Sequence, residues 1–333
     1  MTPSGSEGVV LVVVDHQGAT VRTPALELLT AARSLGRPEA VWLGAEAPSA
    51  AVLEQLGAHG AAVVHHLGVD PSGMLPASVA AVLGVAVEAT GARTVLLVST
   101  FENKEASAHL AFALQAGLVV DAAGVERADD GALVTVQQAF AGTWTLRSAV
   151  TTDRAVVALK ANAVPAEVVD GAAVPSVVPH DVAVVAATRD AELLQRTERP
   201  VSERPSLTEA QVVVVGGRGT NGDFSQVEEL ADALGGAVGA TRVATDEGWI
   251  GHEAQIGQTG VTISPRLYVG AGVSGAVHHR GGMQSSGTIV AINNDPEAPI
   301  FEIADYGIVG DLTTVLPQVA AEVRRLRAEA GEG

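Results

Sequence analysis

The first half of the chain alternates between two hydrophobic periods. The continuous apolar run at 9–14 is typical of a strand that is buried on both faces of a parallel sheet, and 94–98 is predicted to be another strand. Between such runs, apolar residues recur at helical spacing over 23–35, where Thr23 and Pro24 predict an N-cap and a first helical residue. Repeated strand–helix units predict an α/β domain with a mostly parallel sheet and helices on both faces.

The pattern changes after residue 119, where β-rich segments with Gly and Asp at their joins replace the helix signals. We interpret these segments as antiparallel strands added to the parallel sheet. Residues 196–206 contain two prolines and several charges, which is the composition of a linker. The added strands are predicted at 133–138, 143–151 and 155–161, and a further strand is predicted at 181–187.

Beyond the linker, a second α/β unit is predicted. Its first strand, at 211–215, leads into the turn Gly216-Gly217-Arg218-Gly219. Its other strands are predicted at 237–241, 267–269 and 288–292, and its helices at 224–234 and 311–328, with a short helix between the last two strands. The chain is therefore predicted to contain two domains, an α/β domain over residues 1–203 and a doubly wound α/β domain over residues 204–333.

Composition narrows the class of protein. Hydrophobic residues make up 47 % of the 333 residues and charged residues 17 %, which favours a large buried core. The formal net charge of −18, with Lys104 and Lys160 as the only lysines, argues against a nucleic-acid or anionic-membrane partner. Apolar runs shorter than the roughly 20 residues of a membrane span predict no membrane insertion. Residues 1–8 lack the features of a secretion signal, so we expect a soluble, cytoplasmic protein.

The absence of cysteine restricts the chemistry further. It excludes disulfides, cysteine-ligated iron–sulfur clusters and thiol nucleophiles. The nine histidines show no zinc-like spacing. Any redox chemistry is therefore expected on an organic cofactor, or on a metal with other ligands.

A glycine-rich segment is the strongest candidate for a ligand site. Gly270, Gly272 and Gly275 match G-x-G-x-x-G after a predicted strand, and Gly257-Gln258-Thr259-Gly260 precedes it. One interpretation is a nicotinamide dinucleotide site with Asp295 as the ribose-binding acid. The short following helix and the position of Asp295 beyond its strand count against that site. A second interpretation is a glycine turn that only packs a helix on a strand.

The whole block 257–307 closely resembles the FAD-binding domain of the alpha subunit of electron-transfer flavoprotein. The resemblance rests on the GQTG motif, on 267–279, on NNDPEAPIF at 293–301 and on Ala304-Asp305-Tyr306-Gly307. It covers the whole chain and is strongest over 212–319. It implies a heterodimer in which this chain supplies most contacts to one FAD and a beta subunit holds AMP. It also implies electron donors of the acyl-CoA dehydrogenase type and a membrane quinone oxidoreductase as acceptor.

The resemblance assigns redox-tuning roles to three residues. Arg242, in Gly239-Ala240-Thr241-Arg242, matches the arginine beside the flavin ring. A cation about 4 Å from negative charge on the reduced ring contributes roughly 4 kcal/mol at an effective dielectric of about 20. Thr259 matches the threonine that faces flavin N5, where its hydroxyl can donate or accept. His279 matches the histidine that faces flavin O2.

Further cofactor contacts are implied by the same resemblance. Asn293 and Asp311 match positions that bind the ADP half of FAD, and Asp311 is alternatively expected to be the N-cap of the last helix. From its charge alone, Arg218 is expected either to pair with a phosphate of the cofactor or to be a loop cation in solvent. The remaining positions are Thr241, Ile256, Gly257, Gln258, Ser274, Gly275, Ala276, Val277, His278 and Leu312.

Three other functions remain compatible with the sequence. They are an electron-bifurcating flavoprotein that uses NADH, a nicotinamide-dependent dehydrogenase, and a non-redox assembly subunit. The segment 242–249 resembles the conventional carriers more than the bifurcating branch. Arg280 departs from the family pattern and adds a cation next to the expected O2 contact.

Overall fold

The computed structural model describes residues 8–140, 142–182, 193–195 and 204–331. The chain divides into two compact units, residues 1–137 with 145–199 and residues 138–144 with 200–333. The predicted strand at 181–187 and the predicted linker at 196–206 lie largely outside the described residues. The predicted boundary between residues 203 and 204 also lies there and stays a prediction.

The first unit contains a nine-stranded sheet. The unit also contains a separate two-stranded ribbon, which is formed by β2 (His16–Gln17) and β3 (Thr20–Val21). The strands of the nine-stranded sheet are β1 (Val9–Val13), β4 (Arg37–Trp42), β5 (Val63–His66), β6 (Thr94–Val98), β7 (Gly117–Arg127), β8 (Leu133–Ala139), β9 (Trp144–Ala149), β10 (Ala155–Leu159) and β11 (Ser176–Pro179). Its helices are α1 (Thr23–Arg33), α2 (Ala50–Ala58), α3 (Pro76–Thr90) and α4 (Phe101–Leu114). The sheet order is β11-β5-β4-β1-β6-β10-β7-β8-β9.

Most of this sheet is parallel, as the sequence predicts. β7 and β8 pair antiparallel, which confirms an antiparallel addition to the parallel sheet. The prediction for 155–161 was wrong, because β10 runs parallel to both β6 and β7. All five of its residues are buried, as expected for an inner parallel strand covered on both faces. A second correction concerns α1, whose N-cap is Arg22 rather than Thr23.

Alternate residues of β1 show the layering of the first unit. Val10 and Val12 belong to a core cluster that includes α1 and α2, whereas Leu11 and Val13 belong to one that includes α3 and α4. The sheet is thus covered by a pair of helices on each face, which confirms the predicted α/β architecture.

The second unit is doubly wound around five parallel strands. Its elements in chain order are β12 (Val212–Gly216), α5 (Ser225–Leu234), β13 (Ala237–Ala240), α6 (Arg242–Asp246), β14 (Leu267–Ala271), α7 (Val277–Met283), β15 (Thr288–Asn293), β16 (Tyr306–Val309) and α8 (Leu312–Ala330). The sheet order is β13-β12-β14-β15-β16. Helices α5 and α8 pack on one face, and α7 with the segment around Ile256 packs on the other.

No helix in the described parts of the chain combines the length and apolar character that crossing a membrane requires.

Candidate functional site

The strand order of the second unit indicates a ligand site at the carboxyl ends of its strands. The chain leaves β12 toward β13 on one side and returns to β14 on the other, so connections diverge between β12 and β14. In open parallel sheets, ligands bind outside the carboxyl ends of the strands at such a point. The turns that follow β12 and β14 therefore mark the candidate site.

Two glycine turns meet at this point, backbone against backbone. The N–H of Gly219 donates to the carbonyl of Gly272 at 3.1 Å. A Cβ on Gly219 would lie 2.7 Å from Gly272 Cα, and one on Gly272 would lie 2.6 Å from Gly219 Cα. Gly272 also has φ +63°, a conformation that disfavours any side chain. Only glycine at both positions lets the two turns approach this closely.

The G-x-G-x-x-G spacing has a packing explanation at each glycine. A Cβ on Gly270 would lie 2.8 Å from the Tyr268 ring, and one on Gly275 would lie 2.5 Å from the nitrogen of Ile300. The helix that follows, α7, is seven residues long, and Asp295 accepts a hydrogen bond from the N–H of Glu297 in an exposed turn. These features disfavour a nicotinamide dinucleotide site at this turn.

The GQTG segment packs on α7 and is tied to β13. Gln258 N donates to the His278 carbonyl at 3.0 Å, and Ile256 N donates to the Ala240 carbonyl at 2.9 Å. A Cβ on Gly282 would lie 2.4 Å from Gly257 N, so a glycine in the helix is needed for the contact. The structure thus joins the end of β13, the GQTG segment and the start of α7 into one surface.

His279 lies at the base of this surface, with 6 % of its surface exposed. Its Nδ1 lies 3.1 Å from the carbonyl oxygen of Ile256, which can only accept, so Nδ1 carries the proton. Its Nε2 lies 2.8 Å from the hydroxyl of Tyr268, which is fully buried. Burial lowers the pKa of His279 to about 4, so the ring is neutral at pH 7 and Nε2 accepts from the tyrosine.

This bonding leaves the neutral imidazole without a spare N–H. The expected contact of His279 with flavin O2 therefore needs a second proton on the ring, or the release of one of its two bonds. The residue is in the expected segment, and the predicted contact stays a prediction.

A second hydrogen-bond chain leads from the interior to Thr259. Gln255 Nε2 donates to Thr259 Oγ1 at 3.0 Å, and Thr245 Oγ1 lies 2.9 Å from Gln255 Oε1 and 2.9 Å from the Arg242 carbonyl. Gln255 and Thr245 are buried, whereas Thr259 is exposed. The exposed hydroxyl is therefore held by a buried amide.

Arg242 and Thr241 follow directly after β13. The Arg242 side chain is 63 % exposed and pairs with Asp246 at 3.1 Å, one turn along α6. Thr241 is the N-cap of α6, and its Oγ1 is buried without a hydrogen-bond partner among the residues that the structure describes. A buried hydroxyl of this kind is costly unless a ligand supplies a partner, so Thr241 fits a binding site.

The other predicted contacts lie around the same edge. The Asn293 amide holds the adjoining loop through the Val273 carbonyl and Asp295 N, at 2.9 and 3.0 Å. Asp311 is the N-cap of α8, as one interpretation predicted, and its hydrogen bonds to Thr313 lower its pKa. Asp311 is exposed, as are the predicted residues Arg218, Gln258, Ser274, Ala276, Val277 and His278, whereas Ile256, Gly257, Gly275 and Leu312 are buried.

The sequence did not predict three residues that support the site, and for Arg280 it predicted no hydrogen-bond partner. Thr245, Gln255 and Tyr268 support Thr259 and His279 from below, and nothing in their local pattern marks them. Arg280 donates to the Gly275 carbonyl at 2.6 Å and pairs with Glu302 at 3.0 Å, so it braces the turn.

The sheet order, the glycine turns and the exposed polar edge define a nucleotide-binding α/β protein. Residues 10–185 match the family described as "Electron transfer flavoprotein domain", and residues 206–284 match "Electron transfer flavoprotein FAD-binding domain". The chain is 42 % identical over 317 residues to electron transfer flavoprotein subunit alpha of Mycobacterium leprae, covering 94 % of this chain and 98 % of the relative.

Two other relatives carry the same description. The Mycobacterium tuberculosis protein (strain CDC 1551 / Oshkosh) is 42 % identical over 321 residues, or 95 % of this chain and 98 % of the relative. The Paracoccus denitrificans protein is 54 % identical over 124 residues, or 37 % of this chain and 40 % of the relative. The chain therefore belongs to the electron transfer flavoprotein alpha-subunit family. Its second unit carries the flavin-binding domain, and its role is that of an electron-transfer flavoprotein, as the resemblance predicted.

Proposed function

We propose that this chain is the large subunit of a heterodimeric electron carrier with one FAD and no substrate turnover of its own. A beta subunit covers part of the flavin and holds AMP. Acyl-CoA dehydrogenases and related flavoenzymes, as in fatty acid β-oxidation, supply the electrons, and a quinone oxidoreductase removes them. The carrier works in the cytoplasm. Membership of the family supports the flavin and the beta partner, and the remaining assignments extend it.

One observation carries the proposal for the site. Arg242 and Thr259 are both exposed, and they extend from two segments that the Ile256–Ala240 hydrogen bond joins at 2.9 Å. The nearby Thr241 hydroxyl is buried and has no partner among the described residues. A cation and a hydroxyl are thus exposed next to the switch point, and the residue beside the cation carries an unsatisfied buried polar atom, within the family's FAD-binding region.

The flavin supplies the capacity to hold one or two electrons, and the chain adjusts how favourably it does so. Arg242 would supply a permanent positive charge beside the flavin ring. A bound ring excludes water, which increases the effect of the charge above its value on an open surface. Asp246, which pairs with Arg242 at 3.1 Å, partly offsets this charge. The net effect of Arg242 is to favour the reduced, more negative ring.

His279 would act on the flavin through its imidazole. Its Nδ1–H is held by the Ile256 carbonyl, so Nε2 is the atom at which a proton can be gained. Negative charge nearby raises the pKa of a histidine, which favours proton uptake at Nε2 when the ring is reduced. The protonated imidazole would then have an Nε2–H that it could donate to flavin O2 or to Tyr268.

The residues around the glycine turns would hold the ADP half of FAD. The exposed Arg218 follows β12 directly, where its guanidinium can pair with phosphate. Asp311 caps α8 and faces the same edge through its position at the helix start, next to Leu312. Asn293 fixes the loop between them, so we assign it a positioning role through the Val273 carbonyl.

The test is an absorbance spectrum of the chain co-expressed with its beta subunit, followed by stepwise anaerobic reduction. One yellow flavin per heterodimer, with AMP released on denaturation, is the expected result. Electron uptake from an acyl-CoA dehydrogenase with its substrate then tests the donor.

Other outcomes separate the alternatives. Two flavins with different potentials would favour the bifurcating class over the conventional carrier. A folded, colourless heterodimer that FAD does not reconstitute would contradict the proposal and favour an assembly role.

A further inference from the structure

The hydrogen bonds that link Thr245, Gln255 and Thr259 can be arranged in two ways, which a fixed support for the Thr259 hydroxyl would not require. Thr245 has one hydroxyl hydrogen, but two acceptors lie at 2.9 Å, Gln255 Oε1 and the Arg242 carbonyl. The two ends of a glutamine amide have nearly the same size, so the amide can turn over in place. Two complete arrangements of hydrogens therefore fit the same heavy-atom positions.

In the first arrangement, the Gln255 amide N–H donates to Thr259 Oγ1 and Thr245 donates to Gln255 Oε1. Thr259 then keeps its hydrogen and can donate to a ligand. In the second, the amide is reversed. Thr259 donates to Gln255 Oε1, Gln255 donates to Thr245 Oγ1, and Thr245 donates to the Arg242 carbonyl. Thr259 then offers a lone pair, so it accepts from a ligand.

We propose that Gln255 is a positioning residue that reverses the polarity of the Thr259 hydroxyl to match the redox state of the flavin. This inference rests on the proposed function and on the Thr259–N5 contact that the resemblance implies. N5 of an oxidised flavin is a hydrogen-bond acceptor, and a reduced, protonated N5 is a donor. The first arrangement suits the oxidised ring and the second suits the reduced ring. The exchange rotates one amide and two hydroxyls, and no proton or electron leaves the protein.

The Gln255 side chain can be replaced without removing the hydrogen bonds that hold its turn. The turn is held by the main chain, because Val261 N donates to the Gln255 carbonyl at 2.8 Å and Gln255 N donates to the His252 carbonyl at 3.0 Å. Replacing the side chain leaves both bonds in place. Only the amide, which is buried between Thr245 and Thr259, is then lost.

The direction of the effect follows from the hydrogens. When the flavin is reduced and Thr259 accepts from N5–H, loss of the amide leaves the hydroxyl hydrogen of Thr259 without an acceptor. When the flavin is oxidised and Thr259 donates to N5, loss of the amide leaves only the hydroxyl oxygen without a donor. An unpaired donor costs more than an under-used acceptor. Loss of the relay therefore penalises the reduced state and lowers the flavin potential.

The experiment measures flavin potentials by spectroelectrochemistry in the heterodimer for Gln255→Met, Thr259→Val and the double variant. We expect Gln255→Met to shift the oxidised–reduced equilibrium about tenfold toward oxidised flavin, or roughly 30 mV for a two-electron couple. The shift should vanish in the Thr259→Val background, since Gln255 acts through that hydroxyl. FAD affinity and the melting temperature report any merely structural role.

A matched pair covers the case in which Gln255→Met fails to fold. Thr245→Val removes the far end of the relay and should lower the potential by a smaller amount, whereas Thr245→Ser keeps the hydroxyl and should restore it. Additive shifts in the double variant, or an unchanged potential in both Gln255→Met and Thr245→Val, would overturn the inference. An unchanged potential in Thr259→Val would instead contradict the contact between Thr259 and N5. A wild-type heterodimer that binds no flavin would contradict the proposed function itself.

Discussion

The buried His279 makes the stability of the second unit depend on pH. Its ordinary pKa of 6.5 is lowered to about 4 by burial. Above pH 6.5 the ring is neutral in both the folded and unfolded chain, so it contributes no pH dependence there. Between pH 6.5 and about 4, the unfolded chain takes up a proton that the folded chain does not, and the folded state loses stability as pH falls.

The magnitude follows from the shift. At about 1.4 kcal/mol per pH unit, a depression of this size removes roughly 3 kcal/mol by pH 4. The variant His279→Gln isolates the effect. A glutamine can donate to the Ile256 carbonyl and accept from Tyr268, as the imidazole does, but it does not titrate.

The assay is urea unfolding of wild-type and variant heterodimers at several pH values from 7 to 4.5. The difference in unfolding free energy between the two proteins removes the contribution of every shared titrating group. We expect the wild type to lose stability relative to the variant as pH falls, by up to about 1.4 kcal/mol per unit. A difference that stays constant from pH 7 to 4.5 would refute the reasoning, and a wild type that gains stability would mean that the folded ring is charged.

Three further predictions concern the glycine turns and the charged groups. Gly272→Ala should lower the melting temperature much more than Gly248→Ala, because both have positive φ but only Gly272 lacks space for a Cβ; equal losses would mean that φ alone decides. Arg242→Ala should shift the flavin equilibrium toward the oxidised form, by at most about 4 kcal/mol, whereas Arg242→Lys should keep most of the wild-type potential. Equal flavin potentials in the wild type and both variants would mean that the charge of Arg242 does not affect the flavin. Asp311→Ala should cost about 1 kcal/mol of stability through the lost cap, whereas Asp311→Asn keeps the cap; FAD titration of Asp311→Asn shows whether the carboxylate also binds the cofactor.

Much of the fold was predictable because burial leaves a direct trace in the sequence. The apolar runs of β1, β6 and β12 predict inner parallel strands, and they are such strands. β16 was not predicted, because a four-residue segment interrupted by Gly307 is too short to establish a hydrophobic period. β10 was placed correctly, but its direction depends on neighbours that are remote in sequence, and local pattern does not record them.

The candidate site divides in the same way. Arg242 and Thr259 stand in short motifs that the sequence displays, so a resemblance could assign them. Tyr268, Thr245 and Gln255 act through side-chain partners that only the folded chain brings within reach. Sequence shows which groups can bond but not which of them meet, so the tautomer of His279 and the relay to Thr259 required the structure.

The meeting of the two glycine turns also limits how this chain can change. A side chain at residue 219 would collide with the backbone at 272, and a side chain at 272 would collide with the backbone at 219. Because each obstacle is main chain, no compensating substitution at the other position relieves it. Random mutagenesis should therefore find no second-site suppressor at 219 for a substitution at 272. A rescued variant would have to alter the length or path of a whole turn.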